Sequence, residues 1–520
     1  MNSAAADVSQ VRAHPPTPAK GSYGGARSAR QQSYRPAPPE FQTMALGLHT
    51  APRVPKALIR ETREVVDLAR RFNDDVARPA SLDLELRSFA DHDFVATDLV
   101  EQCNQWGLYT AFVPRIFGGK GYNLSSLAYF NEEVGSVCLG IANVISVHNL
   151  GVACLTVSGN TGVARRVLRE VIDGERSGKP CLISVSLTEP GAGTDMQDID
   201  LMDDGVIGCR ATKVDGGYVV NGTKVFTSSG HLSTWDILYT CTDPARPAET
   251  MVVLAVRRGT EGFSLGTFED KLGQRICPAS TLNFDDCFVP DELVLMDAES
   301  IAEFTDRPTR QIYARHFDFW LCMSRSAIAA WGTAAARGAY EAALAFANDT
   351  VLGGRPMITY EWVQCRLTEM YANVRLGRLA YAESMDANPL YRLLESKPVY
   401  YAQKYLPVSL AEMTVGRMLA HPKVSRLVSR FLLDRDMDQS LCVGLASMAK
   451  FTAADLGIKN CQMALEMMGA QGLRHEARVE KILRDAKLLQ IYEGTAQLNR
   501  LDAFKSLIAP AAPRARMFVD

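Results

Sequence analysis

Between residues 181 and 298 the hydrophobic pattern of this chain changes its period. The runs "KPCLISVSLTEPGAGTD", "GYVVNGTKVFTSSG", "TWDILYTCT", "TMVVLAVRR" and "STLNFDDCFVP" are short, rich in β-branched and aromatic residues, and punctuated by Gly, Asn and Pro. That is the texture of strands and turns. Both flanks read as helix. In 56–180, "ALIRETREVVDLARRFNDDV" spaces its apolar residues by three and four. A Gly- and Pro-rich loop, "GLYTAFVPRIFGGKGYN", precedes a second helical run, "LAYFNEEVGSV". In 299–510, "SRSAIAAWGTAAARGAYEAALAFAND" and "LASMAKFTAADLGIKNCQMALEMMG" predict two long helices with small residues for close packing. Helices, then strands, then helices rule out an alternating βαβ sheet. The expected class is α+β: an N-terminal α-helical domain, a central β-barrel or sandwich, and a C-terminal α-helical bundle.

Charge and cysteine usage narrow the partners. Lys and Arg number 56 against 59 Asp and Glu, a formal net charge of −3. Neither nucleic acid nor an anionic membrane surface is indicated. Twelve cysteines include no C-x-x-C pair, so no zinc or other metal site is expected. With no secretory signal ahead of them, they read as reduced thiols of a cytoplasmic compartment. Residues 1–55 read as a disordered extension; Asp7 and Glu40 are its only acids. A transit peptide into the mitochondrial matrix would share its Arg- and Ser-rich, acid-poor composition. Residues 134–164 carry no formal charge, but Asn143, Ser146, His148 and Asn149 interrupt them. A buried core helix is expected there, not a transmembrane span.

Nucleotide fingerprints fail on inspection. "PGAGTDM" has Met196 where a Rossmann motif needs its third glycine, and "GYVVNGTK" has Thr223 one place ahead of the lysine a P-loop needs. What remains is two strand ends loaded with hydroxyls. Thr188 to Thr194 offers glycines for close backbone approach and side chains that donate and accept; "VFTSSG" adds an aromatic. Each also reads as an ordinary turn or strand end; paired in one module, they suit a flat polar ring system. Near the C-terminus, "RDAKLLQIYEGTAQLNR" places Glu493 at a break between two helical patterns. Gly494 can end the first helix in the left-handed conformation, and Thr495 can cap the second. Glu493 then stands beside free backbone N–H groups. It is either a solvated helix-end residue or a general base next to a carbonyl-polarising site.

Taken together and in order, "LTEPGAGTD", "GYVVNGTK", "KLGQRICPASTLNFDDCFVP" and "RDAKLLQIYEGTAQLNR" resemble the acyl-CoA dehydrogenase family of flavoproteins. "GLYTAFVPRIFGGKGY" and "NEEVGS" resemble that family's first helical domain, and the likeness runs from Lys56 to Leu507. The resemblance implies FAD between the β domain and the last helical domain. It also implies α,β-dehydrogenation of an acyl-CoA or carrier-protein thioester, transfer of electrons to an electron-transfer flavoprotein, and a homodimer or homotetramer. Glu493 matches the base that removes the α-proton while hydride leaves to flavin N5. Val185, Leu187, Thr188, Phe226, Ser228, Gly469, Thr495 and Gln497 match cofactor positions; Thr194, Arg325 and Gly494 match substrate positions. Three departures stand out. The family arginine for the FAD pyrophosphate falls on Thr350 and its phenylalanine on Gly353; two family glutamines fall on Glu361 and Glu466. Losing a cation and gaining carboxylates weakens diphosphate binding, so other basic residues or a second kind of subunit in a heteromer would have to anchor it. Residues 389–434 read as an extra helical insertion. A flavin oxidase or monooxygenase on the same fold, or a non-catalytic subunit that kept the fold, are the rival expectations.

Overall fold

The computed structural model describes residues 54–405, 407, 418, 421–435, 439–512 and 514–517. The expected N-terminal extension lies outside them except for Val54 and Pro55. Among the described residues six α-helices come first: α1 (Lys56–Phe72), α2 (Arg78–Ala90), α3 (Thr97–Gln105), α4 (Leu124–Val137), α5 (Leu139–Val157) and α6 (Thr161–Ser177). Asn123 and Asn160 cap α4 and α6 with their side chains, accepting from Ser125 N and Val163 N. The uncharged stretch forms α5, with His148, Asn143 and Asn149 all buried within the protein. Helix 139–157 is long and apolar enough to cross a membrane, but 78% of it is buried against the rest of the chain.

Eight strands follow: β1 (Ile183–Ser186), β2 (Arg210–Val214), β3 (Gly217–Ser228), β4 (Trp235–Cys241), β5 (Met251–Arg257), β6 (Phe263–Phe268), β7 (Ala279–Pro290) and β8 (Val294–Met296). They make one sheet ordered β6-β7-β3-β2-β4-β5-β8, with β1 parallel to β4. Strands β4 and β5 are buried on both faces, which is why β5 reads as a continuous apolar run from Met251 to Val256. Leu238, Val252, Leu254 and Val256 enter a core made by the strands themselves. Their alternating neighbours Ile237, Tyr239, Val253 and Ala255 join the large core shared with the helices.

The last block contains α7 (Thr309–Asp349), α8 (Glu361–Ala387), α9 (Pro389–Glu395), α10 (Lys397–Tyr405), α11 (Pro422–Leu433), α12 (Ser440–Met468), α13 (Val479–Leu488) and α14 (Ala496–Ala503). Helices α7 and α12 cross through small residues: a Cβ on Gly332 would stand 2.4 Å from the Ala453 carbonyl carbon. The expected insertion contains α9, α10 and α11; residues 406, 408–417, 419 and 420 of it lie outside the described set.

One side chain ties the blocks together. Gln274, from the loop between β6 and β7, is fully buried. Its amide nitrogen donates to the Asp485 carbonyl on α13 (2.9 Å), and its carbonyl oxygen accepts from Asn143 on α5 (2.8 Å) and Tyr492 (3.2 Å). The "KLGQR" run is therefore a joint between the sheet, the first helical block and the segment bearing Glu493.

Candidate active site

The three blocks enclose a cavity of about 300 Å³. Helix α7 contributes Trp320, Met323, Ser324, Ala327, Ile328 and Trp331, one stripe at helical spacing. Helices α4 and α5 contribute Asn131, Asn143, Ser146 and Asn149; the loop after α13 contributes Ile491 to Thr495. Of the residues the sequence singles out, Val185, Leu187, Thr188, Thr194, Phe226, Ser228, Glu493, Gly494 and Thr495 line this cavity. Gly469 and Gln497 are exposed and do not line it.

Local backbone chemistry positions the β-side residues. The register of β3 on β7 shifts between Lys224 and Thr227, and Phe226 sits in the bulge with φ 55°. A bulky residue with positive φ is strained. Here the bulge turns an aromatic ring, 57% exposed, onto the cavity wall. The strand end at Val185 to Thr188 is held from behind. Ser184 Oγ donates to Asp236 (2.7 Å) and Ser186 Oγ to the same carboxylate; burial nonetheless raises Asp236 to about 6. Lys224, fully buried, donates to the Leu187 carbonyl (2.9 Å) and to Glu189 Oε1 (2.5 Å). Glu189 Oε2 accepts from the N–H groups of Gly208 and Cys209 at 2.6 and 2.9 Å. The lysine of the failed P-loop and the glutamate just ahead of the failed Rossmann motif are thus one buried ion pair supporting the loop.

Thr495 caps α14 as expected, its hydroxyl accepting from Leu498 N (3.2 Å). Gly494 has φ 80°, but α13 already ends at Leu488, so it does not close that helix; Glu493 itself has φ 55°. Two successive left-handed residues reverse the chain and aim the carboxylate into the cavity. Asn499 Nδ2 holds the reversal, donating to the carbonyls of Glu493, Gly494 and Thr495 at 3.2, 2.9 and 2.9 Å. Lys450 Nζ donates to the Gly494 carbonyl (2.5 Å). Burial, and then the Arg325 charge, bring Lys450 down to about 7. Arg325 does not line the cavity. It is buried behind the loop, paired with Asp502 (2.7 Å) and Ser447 (2.9 Å), with its Nε 3.4 Å from the Glu493 carbonyl. Burial raises Glu493 above its ordinary 4.5, opposed by the Ser324 hydroxyl and the Arg325 and Lys450 charges. Among the described residues, the backbone N–H groups of Glu493, Gly494 and Thr495 make no hydrogen bond. A Cβ on Gly494 would meet Asn499 Nδ2 at 2.9 Å. Gly494→Ala is therefore expected to cost at least about 1–2 kcal/mol, read as a lowered midpoint in denaturant unfolding.

Models of three domains of one family match the chain: "Acyl-CoA dehydrogenase, N-terminal domain" over 60–175, "middle domain" over 184–287, and "C-terminal domain" over 319–389 and 404–508. The chain belongs to the acyl-CoA dehydrogenase family. It is similar to cyclohex-1-ene-1-carbonyl-CoA dehydrogenase of Syntrophus aciditrophicus, 26% identical over 456 residues, covering 87% of this chain and 91% of the relative. Benzylmalonyl-CoA dehydrogenase of Aromatoleum aromaticum is 25% identical over 447 residues, covering 85% and 97%. The structure of butyryl-CoA dehydrogenase from Megasphaera elsdenii has the same fold, with a TM-score of 0.65 at 21% identity over 86% of this chain and 98% of that one.

Acyl-CoA dehydrogenase family members are flavoproteins, typically with FAD. The residues at this cavity fit such a group. Five buried polar atoms on the walls away from α4 and α5 have no partner among the described residues: Gln197 Oε1, Thr227 Oγ1, Trp320 Nε1, Trp331 Nε1 and Glu493 Oε2. Buried polar atoms are normally satisfied, so their concentration here marks a ligand site. The departures at the pyrophosphate end lie elsewhere. Gly353 and Glu361 are exposed, and Glu466 pairs with Arg366 at 3.0 Å.

Sequence reasoning missed Gln274, Lys450, the tryptophans of α7, and Tyr391. Tyr391 is buried on α9, within the 390–403 stretch that the C-terminal model leaves unmatched, and still reaches the cavity. No local pattern announces it; only the fold brings α9 to the wall.

Proposed function

We propose that the chain catalyses FAD-dependent α,β-dehydrogenation of an acyl-CoA thioester, with Glu493 as the base. The observation that carries this is a carboxylate whose buried Oε2 has no partner, on a cavity wall shared with two hydroxyl-bearing strand ends. Thr188, Phe226, Thr227 and Ser228 are the residues that would hold the flavin, and FAD supplies the acceptor for the β-hydrogen. Glu493 takes the α-proton onto its carboxylate. The unpaired N–H groups at 493–495 are donors for the thioester oxygen, where negative charge develops as the proton leaves. The aromatic and aliphatic walls exclude water, which strengthens those bonds. Lys450 and Arg325 face the loop from behind, so their charge favours the ionised base without pairing with it directly. Electrons would leave to an electron-transfer flavoprotein, and the chain would work as a homo-oligomer. All twelve cysteines are free thiols, which supports a reducing, cytoplasmic-type compartment.

The test is anaerobic addition of acyl-CoA to the yellow holoprotein, with loss of flavin absorbance expected; a cofactor that stays oxidised for every thioester would overturn the reading. The pH dependence has a definite sign. The base must be ionised, and burial raises its pKa above 4.5. Flavin reduction should therefore climb with pH through a value above the ordinary glutamate range. A stopped-flow profile that is flat across the acidic range would exclude Glu493 as the titrating group.

A further inference from the structure

The cavity wall built by α4 and α5 is mixed: Leu124, Leu127, Ala128, Val147, Leu150 and Ala153 make it largely apolar, and four polar side chains sit among them. Asn131 and Asn149 are 0% and 3% exposed, and Ser146 and Asn143 are buried beside them. Most of their groups are committed within the protein. Asn131 Oδ1 accepts from Ser146 Oγ (2.6 Å), and Asn143 donates to Gln274 (2.8 Å). Asn149 Nδ2 donates to the Ile145 carbonyl (3.1 Å), which fixes the amide so that its oxygen is the free end. Two amide atoms on this wall are buried without a partner: the donor Asn131 Nδ2 and the acceptor Asn149 Oδ1. Among the described residues the lining includes no Lys, Arg or His, and its one acid is Glu493. A carboxylate on the acyl group would find no cation there, and Glu493 would repel it. An aliphatic chain would strand both amide ends. A hydroxyl answers both, accepting from Asn131 and donating to Asn149.

We infer that the acyl group this cavity takes carries a neutral hydroxyl function beyond the two carbons that react, held between Asn131 and Asn149. The inference rests on the dehydrogenase reading for naming the ligand an acyl thioester. Its test reads binding with the chemistry silenced. In FAD-loaded Glu493→Gln protein, titration calorimetry compares CoA thioesters of equal carbon number that end in methyl, hydroxyl or carboxylate. The hydroxyacyl thioester is expected to bind roughly 10- to 100-fold tighter than the alkyl one, and the carboxylate weakest. Asn131→Leu with Asn149→Leu should erase that preference while FAD content, read from flavin absorbance, stays unchanged. Should the double variant not fold, Asn149→Leu alone gives the same reading, since that amide's one bond is to its own helix. Equal or tighter binding of the alkyl thioester, a preference that survives the substitutions, or loss of FAD from the variant would each overturn the subsite. Tight hydroxyacyl binding in a protein whose wild-type flavin never bleaches would sink the dehydrogenation and leave the subsite standing.

Discussion

Glu493→Gln is expected to keep FAD bound and to slow its bleaching by acyl-CoA by about 100- to 10,000-fold, the usual worth of a positioned acid or base. Gln preserves the shape of the side chain and removes its proton affinity, so the two readouts separate. Flavin content reports on the walls, and single-turnover reduction reports on the base. The same variant should be more stable than the parent. Burial raises the folded pKa of Glu493 above its ordinary value. Its contribution to stability is therefore fully present below the unfolded pKa and is lost as pH rises through the folded one. At neutral pH the ionised side chain is a burden that Gln does not carry. A variant at once slower and harder to unfold is the expected signature of a site kept under strain for chemistry. Bleaching at the parent rate would remove Glu493 as the base.

Lys224→Met should be the most damaging single change to the sheet, costing about 3–5 kcal/mol, because it strands a buried carboxylate. Glu189 would keep its two backbone donors from Gly208 and Cys209 but lose its counter-charge. The Leu187 carbonyl would lose its donor at the strand end that meets the cavity. Two consequences should appear together: a lower midpoint in urea, and flavin released at denaturant concentrations the parent tolerates. Adding Glu189→Leu should recover only part of the loss, since the carboxylate also serves two amide groups that no aliphatic side chain can satisfy. Stability within measurement error of the parent would show that the pair does not hold this region.

The change of hydrophobic period located the sheet because β5, buried on both faces, left a continuous apolar trace. Thr495 was readable as a cap because capping is local chemistry. The positive φ of Glu493 was not, since nothing in a glutamate announces a left-handed backbone; tertiary bonds from Asn499 impose it. Lys224 and Glu189 are separated by 35 residues, and neither looks unusual in its own stretch. Asn131 and Asn149 sit in helical runs whose periodicity only says that one face is buried. That they converge on one cavity is a property of how α4 and α5 pack. Arg325 was readable as near the site by resemblance, yet its guanidinium is bonded behind the loop to Asp502 and Ser447 and does not line the cavity.

The double reversal at residues 493 and 494 has an evolutionary corollary. The aim of the carboxylate is set by main-chain torsions, not by a choice among side-chain rotamers, and one amide on α14 restrains those torsions through three carbonyls. A relative could therefore keep every residue on the cavity wall and still lose its turnover through drift at position 499, a place where a comparison of wall residues alone would find nothing amiss.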